Sequence, residues 1–216
     1  AWVNKDFHEP NTYNAGTVFG KNGDWGDSYQ YYLRVSDNWL GDGTASTGWG
    51  ISNTGSYGTF LELEGSPVQE SGWQFIAGTF DGDRTSKLYV NGELSAEGET
   101  DQSGMNTVNV SAFIGKYRPG TGGPHYFKGN ADNITVWNRG LSSEEIQSLM
   151  LSHPAGDEEG LVAYYKFNAN DGSTLYDHSG NQNHGTIHGA DWTENVYGCM
   201  DELACNYNED ADTADD

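Results

Sequence analysis

The sequence has very few cysteines and no long hydrophobic run. Only two of its 216 residues are cysteines, Cys199 and Cys205, and both lie in the last eighteen positions. A core built by the rest of the chain therefore does not depend on disulfide bonds. No apolar stretch approaches the roughly 20 residues that a membrane-spanning helix needs. We therefore expect neither a disulfide-stapled scaffold nor insertion into a membrane.

Basic residues are also scarce. Lysine and arginine total 10 against 32 aspartates and glutamates, which gives a formal net charge of -22. Nucleic-acid binding depends on Lys and Arg neutralising phosphates, and anionic lipid headgroups attract the same residues, so we expect neither as a partner. The excess of carboxylates would attract cations, and Ca²⁺ prefers such oxygen ligands. The same charge would also keep an extracellular protein soluble.

Glycine and aromatic residues, in contrast, are abundant, with 30 Gly, 13 Tyr, 8 Phe and 7 Trp. This composition is typical of short strands joined by tight turns and not of a helical bundle. Within residues 58–65, Leu61 and Leu63 alternate with Glu62 and Glu64, which predicts a half-buried strand with one wet face. Asn91-Gly92 stands between two strand-like runs and predicts a type I′ hairpin.

One short helix is predicted after these strands. Ser142 can cap it while Glu145 reaches back to the backbone of the cap, and Pro154 ends it. The sequence therefore predicts an all-β fold with one helix as an addition. The strand-like runs are residues 28–37, 58–65, 73–80, 87–96, 112–117, 133–138 and 161–167.

Four segments carry a family pattern: 72–82 (GWQFIAGTFDG), 88–92 (LYVNG), 113–115 (FIG) and 129–142 (GNADNITVWNRGLS). Taken in this order, they resemble the laminin-G-like domains of the concanavalin A-like lectin and glucanase kind. The resemblance covers roughly residues 1–150. It implies a two-sheet antiparallel jelly-roll sandwich with one short helix.

One part of the family pattern is out of place. In these domains a first strand and a long loop normally precede the element that here forms residues 1–4. Residues 160–167 and 177–186 resemble that opening, but they follow the helix. The segment could close its own sandwich, begin a truncated second domain, or pair with a neighbouring molecule. Because an open sheet edge invites pairing and domain termini often lie close together, we favour closure within the same chain.

We therefore divide the chain into a jelly-roll domain, residues 1–196, and an acidic tail, residues 197–216. Within the domain, residues 157–190 resemble the opening strand and loop of the family. The tail resembles short acidic Cys-containing motifs near the C-termini of large secreted proteins from marine bacteria. This resemblance implies a secreted or cell-surface bacterial protein that continues past Asp216. We expect Cys199 and Cys205 to form a local disulfide in an oxidising compartment.

No catalytic set is evident in the sequence. The glucanases of this superfamily carry two glutamates that flank an aspartate on one strand, and these acids attack the sugar and protonate the leaving oxygen. Glu62 and Glu64 lie two residues apart, but the third acid is missing because residue 60 is Phe and residue 66 is Ser. We interpret the two glutamates as the ordinary solvated side of a strand, so the sequence predicts no enzyme.

The resemblance implies a structural Ca²⁺. Members of the family hold the ion through the aspartate that opens the strand before the helix, here Asp132, and through oxygens of the opening segment. The candidates in that segment are Asn168, Asn170, Asp171 and Asp177. Loop carboxylates and carbonyls satisfy the six to eight oxygen ligands that Ca²⁺ takes. The alternative is that Asp132 only caps a turn.

Aromatic residues in loops rich in Gly and Asn are the candidate ligand contacts, because sugar-binding jelly rolls set an exposed Trp or Tyr against the apolar face of a pyranose. Most aromatic residues of a sandwich belong to its core, so the same residues could also be core residues. The candidates are Trp25, Tyr29, Trp39, Trp49 and Tyr57, together with Arg118 and Tyr126 of the loop at 118–126.

The sequence thus predicts a non-catalytic extracellular recognition module, stabilised by calcium, that binds glycans or another cell-surface molecule. Two alternatives stay open. The chain could be a structural or assembly subunit of a surface adhesin or filament, in which copies exchange strands. It could also be a glycan-cleaving enzyme, which would need paired acids in a cleft.

Overall fold

The structure is a computed structural model. It describes residues 1–5, 14–22, 29–37, 45–55, 60–67, 72–101, 103–117, 125–193, 197–198 and 213–214. In these parts of the chain, no helix is long and apolar enough to cross a membrane.

The described residues form short strands and one helix. In chain order they are β1 Trp2–Lys5, β2 Asn14–Asn22, β3 Tyr29–Asp37, β4 Ala45–Ser52, β5 Phe60–Pro67, β6 Gln74–Phe80, β7 Thr85–Val90, β8 Glu93–Glu99, β9 Phe113–Ile114, β10 Lys116–Tyr117, β11 His125–Tyr126, β12 Gly129–Asp132, β13 Ile134–Trp137, α1 Ser143–Leu151, β14 Leu161–Tyr165, β15 Thr174–Leu175, β16 Gly185–Thr186, β17 Tyr197–Gly198 and β18 Thr213–Ala214.

Two large sheets dominate the fold. The first sheet has the strand order β12-β1-β6-β7-β8, and the second has the order β5-β4-β3-β2-β9. Neighbouring strands of both sheets pair antiparallel. The predicted two-sheet antiparallel sandwich with one short helix is therefore confirmed. In the predicted tail, β17 and β18 form a short parallel pair.

The hairpin between β7 and β8 forms where the sequence predicts it. Asn91 has φ 51° and Gly92 has φ 78°, and a type I′ turn requires a positive φ at both central residues. The side-chain oxygen of Asn91 also accepts the backbone N–H of Phe75 at 2.9 Å. The turn therefore fixes β6 to the hairpin as well as reversing the chain.

The core lies between the two sheets. Leu63 and Trp49 of the second sheet meet Ile76 and Leu88 of the first, and all four side chains are buried. The indole N–H of Trp49 donates to the hydroxyl of Ser86 at 2.6 Å. Trp49 is thus a core residue and not the exposed ligand contact that the sequence predicted.

We expect Gly78→Ala to destabilise the fold by about 2 kcal/mol, since overpacking a tight core costs roughly 1–3 kcal/mol. A Cβ at Gly78 would overlap the ring of Trp49. Urea unfolding measures the change. Gly185→Ala is the matched control, because a Cβ there meets its nearest atom at 3.5 Å. Equal stability of the two variants would contradict this packing.

Helix α1 begins with the predicted capping box. The Ser142 hydroxyl accepts the N–H of Glu145 at 3.2 Å, and the Glu145 carboxylate accepts the N–H of Ser142 at 2.8 Å. Ile146 is buried against Phe75 and Tyr89 on the outer side of the first sheet. The helix therefore covers part of that sheet and does not form a separate unit.

Strand β14, which follows the helix, pairs and packs within its own chain. β14 pairs antiparallel with β13 from Ile134↔Tyr165 to Trp137↔Leu161. Ala163 and Tyr165 of β14 join the buried core cluster, as does Leu175 of β15. A strand from the C-terminal side of α1 therefore adds to the core of the sandwich, and its equivalence to the first strand of the family stays a prediction. The exact domain limits, 1–196 and 197–216, stay a prediction.

Candidate functional site on the polar face of the second sheet

The second sheet carries polar side chains on the face that points away from the core. Alternation along β3 sends Leu33 and Val35 into the core and Arg34 to the other side. Two rows cross the sheet there, Arg34–Gly48–Glu64 and Tyr32–Gly50–Glu62. We call this set the polar face and define it as Tyr32, Arg34, Ser36, Ser46, Glu62 and Glu64.

Arg34 spans β4 to reach β5. Neighbouring strands lie roughly 4.8 Å apart, so a side chain of β3 meets one of β5 only by lying flat across β4. Glycine makes this possible, because a Cβ at Gly48 would stand 2.7 Å from Nε and 2.8 Å from Cζ of Arg34. A Cβ at Gly50 would overlap Phe60 and Tyr32 in the same way. The two glycines of β4 are therefore the floor of the polar face.

The guanidinium of Arg34 holds both glutamates. Its Nε donates to Oε1 of Glu62 at 2.9 Å, and its Nη2 lies 2.7 Å from the same oxygen. Nη2 also donates to Oε1 of Glu64, and Nη1 donates to the hydroxyl of Ser36. One cation thus fixes two carboxylates that are successive side chains on the same face of β5.

Two hydroxyl groups complete the network. The phenol of Tyr32 donates to Oε1 of Glu62 at 2.6 Å, and Ser46 donates to Oε2 of Glu64 at 3.0 Å. In the described part of the chain, no donor contacts the second oxygen of Glu62, Oε2. Within the described residues, that oxygen therefore keeps its capacity to accept a hydrogen bond.

Burial differs sharply within the network. The side chain of Arg34 is 2% exposed, whereas those of Glu62 and Glu64 are 23% and 28% exposed. Burial alone would lower the pKa of Arg34, but Glu62, Tyr32 and Glu64 outweigh it and raise that pKa. Burial raises the pKa of Glu64, although Arg34 and the hydrogen bond from Ser46 act in the opposite direction. The two carboxylates are thus the part of the network that solvent reaches.

This arrangement changes the interpretation of the two glutamates. They share one strand face, as the alternation predicts, but they are half-buried ion-pair partners and not freely solvated side chains. The sequence reasoning missed Arg34 and Tyr32. The signal was present, because β3 alternates Tyr31, Leu33 and Val35 with Tyr32, Arg34 and Ser36.

The predicted ligand contacts are only partly described. Tyr126 of β11 is 52% exposed, as a ligand contact requires. Tyr29 begins β3, but its side chain is not among the described ones. β11 pairs with β10 and is not a strand of the sheet that carries the polar face. Four further candidates lie outside the described residues, as do both cysteines of the predicted disulfide: Trp25, Trp39, Tyr57, Arg118, Cys199 and Cys205.

The predicted calcium ligands lie on separate segments, with Asp132 at the end of β12 and the others on the loops after β14 and β15. Both oxygens of Asp132 accept hydrogen bonds from Asn133, at 2.8 and 2.9 Å, which matches the turn-capping alternative. Burial raises the pKa of Asp132, although these hydrogen bonds oppose the shift. Asn168, Asn170 and Asp171 are exposed on the loop after β14. Among the described residues, no three His, Cys, Asp or Glu side chains are placed to hold a metal.

Asp177 serves a different purpose. Its Oδ1 accepts the backbone N–H groups of Tyr164 and Ser179, both at 2.9 Å. Its Oδ2 accepts the hydroxyl of Ser179 and the N–H of Asn183, also at 2.9 Å. Each oxygen of Asp177 therefore accepts two internal donors, one for each lone pair, and keeps no lone pair for a calcium ion, whereas each oxygen of Asp132 accepts one donor.

A second concave surface lies on the other side of the molecule. It is an open groove of about 600 Å³ between the first sheet and the start of α1. Lys87 and Glu97 form an exposed ion pair there at 3.5 Å, and exposed pairs of this kind contribute little. The one ring that lines it, Tyr89, is buried and bonded to Ser143. The polar face is the better organised of the two surfaces.

Comparison with known proteins agrees with this architecture. Residues 1–147 match the family model Laminin_G_3, described as the concanavalin A-like lectin/glucanases superfamily. No curated protein matches the chain.

Two solved structures are similar to the chain. A proposed carbohydrate-binding protein from Bacteroides ovatus ATCC 8483 matches with a TM-score of 0.64 and 20% identity, over 87% of this chain and 52% of that one. The chain therefore spans about half the length of that protein. A heptameric SAP-like pentraxin from Limulus polyphemus matches with a TM-score of 0.48 and 17% identity, over 69% of this chain and 67% of that one.

Proposed function

The chain belongs to the laminin-G-like family of the concanavalin A-like lectin/glucanases superfamily, and from this premise we propose that it is a non-catalytic carbohydrate-recognition module. The ligand contacts the polar face at Glu62 and Glu64. One observation carries the proposal: a buried arginine fixes two carboxylates that stay about one quarter exposed on the sheet face opposite the core.

Fixed carboxylates are good acceptors for sugar hydroxyls. Hydrogen bonds to a charged group are roughly twice as strong as those between neutral groups. Because Arg34 and Tyr32 already hold Glu62, binding does not have to order that side chain, which lowers the entropic cost of association. The proposed carbohydrate-binding role of the protein from Bacteroides ovatus supports the same class of ligand.

The charge of the polar face narrows the choice of glycan. Two carboxylates face one guanidinium, in a chain whose net charge is -22. A uronic acid or a sulfated sugar would bring a further negative charge to this surface, and like charges placed together cost binding free energy. We therefore propose neutral or amino sugars as ligands.

The same network argues against catalysis. A retaining glycosidase needs one carboxyl group as proton donor and a second that is free to attack the sugar. Here Oε1 of each glutamate is bonded to Arg34. The raised pKa of Glu64 is the one observation that favours a glycan-cleaving enzyme, because a general acid requires such a shift.

We expect a glycan array to show binding to neutral or amino glycans. Glu62→Gln should weaken this binding about 10- to 100-fold, because a hydrogen bond to a charged group contributes roughly 1.5–3 kcal/mol. Glu93→Gln, at an exposed position of β8 in the first sheet, is the control and should bind like the wild type.

The same glycans incubated with the protein should release no new reducing ends. Hydrolysis that depends on Glu64 would overturn the non-catalytic proposal.

Calcium stabilisation is a further part of the proposal. The remaining candidate ligands are Asp132 and the exposed Asn168, Asn170 and Asp171, which keep the oxygen chemistry that Ca²⁺ prefers. A ligand that binds only the folded state raises its stability. Adding Ca²⁺ to EDTA-treated protein should therefore raise the unfolding temperature, and Asp171→Asn should reduce the effect. An unfolding temperature that does not change on adding Ca²⁺ would contradict calcium stabilisation.

An extracellular or cell-surface location is also proposed. The acidic composition supports it, because a large net charge keeps a protein soluble and monomeric.

A further inference from the structure

Burial separates the hydrogen-bond donors of the polar face from its acceptors. The donors are the guanidinium of Arg34 and the hydroxyls of Tyr32 and Ser46, and all three residues are buried. The acceptors are the carboxylates of Glu62 and Glu64, which stay about one quarter exposed. The part of the polar face that solvent reaches is therefore made of acceptors.

Several acceptor positions of these carboxylates are unfilled within the described residues. A carboxylate oxygen offers two lone pairs. Oε1 of Glu62 is saturated by Tyr32 and Arg34, whereas its Oε2 has no donor. The two oxygens of Glu64 accept one hydrogen-bond donor each, from Arg34 and from Ser46. A ligand that fits this surface therefore brings donors.

The polar face also carries one more negative charge than positive charges. Among the described side chains of β2–β5, those of Arg34, Glu62 and Glu64 are the charged ones on this face. Lys21 of β2 belongs to the opposite face, because it pairs with Tyr31, which packs against the core. One guanidinium thus compensates two carboxylates, and a second cation would complete the balance.

The two carboxylates converge on one point. Oε1 of Glu62 and Oε1 of Glu64 both contact Nη2 of Arg34, so a small cation on the solvent side is within reach of both side chains. Burial is the main cause of the raised pKa of Glu64, and repulsion from Glu62 adds to it. A cation at this point would therefore stabilise the ionised pair.

We propose that the polar face binds an amino sugar through its protonated amine, with the ammonium group at Oε2 of Glu62 and beside Glu64. This inference rests on the proposed carbohydrate-recognition function and narrows its ligand. An ammonium group has three donors, no acceptor and one positive charge. It therefore matches both the unfilled acceptors and the uncompensated charge of the polar face.

Other sugar substituents match this surface less well. A hydroxyl group is neutral, and hydrogen bonds gain strength when the donor is ionised as well as the acceptor. An acetamide group keeps a single N–H donor and adds a carbonyl oxygen, which is an acceptor like the carboxylates that it would meet. The structure therefore favours free amines over acetylated amines.

The test compares the tetramers of chitosan, chitin and cellulose, which share one linkage and carry an amine, an acetamide or a hydroxyl group at the same ring carbon. Titration calorimetry of the full chain at about pH 6 keeps the amines protonated. We expect the chitosan tetramer to bind about 10- to 100-fold more tightly than either of the others. Because the wild type alone decides this order, the comparison does not depend on how any variant folds.

The outcome separates this inference from the proposed function. Chitin or cellulose tetramers that bind as tightly as the chitosan tetramer, or a chitosan tetramer that does not bind, would overturn the amino sugar. Carbohydrate recognition at the polar face would still stand if binding of another glycan depended on Glu62. It would fail only if no glycan on the array bound in a way that Glu62→Gln weakens.

Variants then locate the preference on the carboxylate. Glu62→Gln should bring the affinities of the chitosan and cellulose tetramers close to each other, because the amide removes the charge that selects the amine. Glu93→Gln on β8 removes one charge from the other sheet and should leave the preference unchanged. A preference that survives Glu62→Gln, or spermine that binds as tightly as the chitosan tetramer, would show general attraction of cations and would contradict the inference.

Discussion

Replacing Arg34 with methionine is expected to destabilise the fold by about 3 kcal/mol. Removing one partner of a buried ion pair costs roughly 3–5 kcal/mol because the other charge is left uncompensated. Here the lower end applies, since Glu62 and Glu64 are each about one quarter exposed and water can solvate them in part. Urea unfolding followed by tryptophan fluorescence measures the loss.

The matched control is the triple variant Arg34→Met, Glu62→Gln and Glu64→Gln. It removes the cation together with both charges that the cation compensates, so it should recover most of the lost stability. Recovery would separate the electrostatic role of Arg34 from its packing over Gly48. Unfolding of Arg34→Met at the same urea concentration as the wild type would contradict a stabilising role for the Arg34 network.

Replacing Asp177 with alanine is expected to cost about 4 kcal/mol. The carboxylate satisfies three backbone N–H groups and one hydroxyl, and each buried donor left without a partner costs roughly 1–3 kcal/mol. The stability of Asp177→Asn should fall between those of the wild type and Asp177→Ala. Its amide oxygen still accepts the N–H of Tyr164, whereas its amide N–H₂ group faces the N–H of Asn183. Asp171→Ala, exposed near Asp177, should stay within about 0.5 kcal/mol of the wild type when both are measured in EDTA.

The pH dependence of stability gives an independent check on Asp177. Burial alone would raise its pKa, but the hydrogen bonds from Tyr164, Ser179 and Asn183 outweigh burial and hold the pKa below its ordinary value. A lowered pKa stabilises the folded state above about pH 4, the pKa of an unfolded aspartate, and this stability is lost as the pH falls through the folded value. The wild type should lose stability below about pH 4 more steeply than Asp177→Asn.

Structural elements whose geometry depends only on residues close in the sequence were predicted correctly from local patterns. The Asn91-Gly92 hairpin and the capping box of Ser142 and Glu145 formed as predicted because their geometry is set within a few residues. The closing strand β14 was identified through a family resemblance, and its pairing with β13 follows from the core that Ala163 and Tyr165 bury.

The candidate site could not be predicted in the same way, because it joins distant parts of the chain. Glu62 lies 28 residues from Arg34 in the sequence. The two-residue alternation along a strand predicts only that Glu62 and Leu63 lie on opposite faces of the sheet, and it does not predict which residue pairs with Glu62. Trp49 misled the sequence reasoning for a related reason. Gly48 and Gly50 on either side of it indicate a loop, whereas in the fold they are the strand positions over which Arg34, Tyr32 and Phe60 lie.

The most direct test of the central claim is a crystal structure of the chain with an oligosaccharide chosen from the glycan array. We expect a sugar hydroxyl or amine within hydrogen-bonding distance of Glu62 at the β5 edge of the polar face, with Arg34 still bound to both glutamates. A sugar that is seated instead in the groove beside α1, or that binds without contacting the polar face, would contradict it.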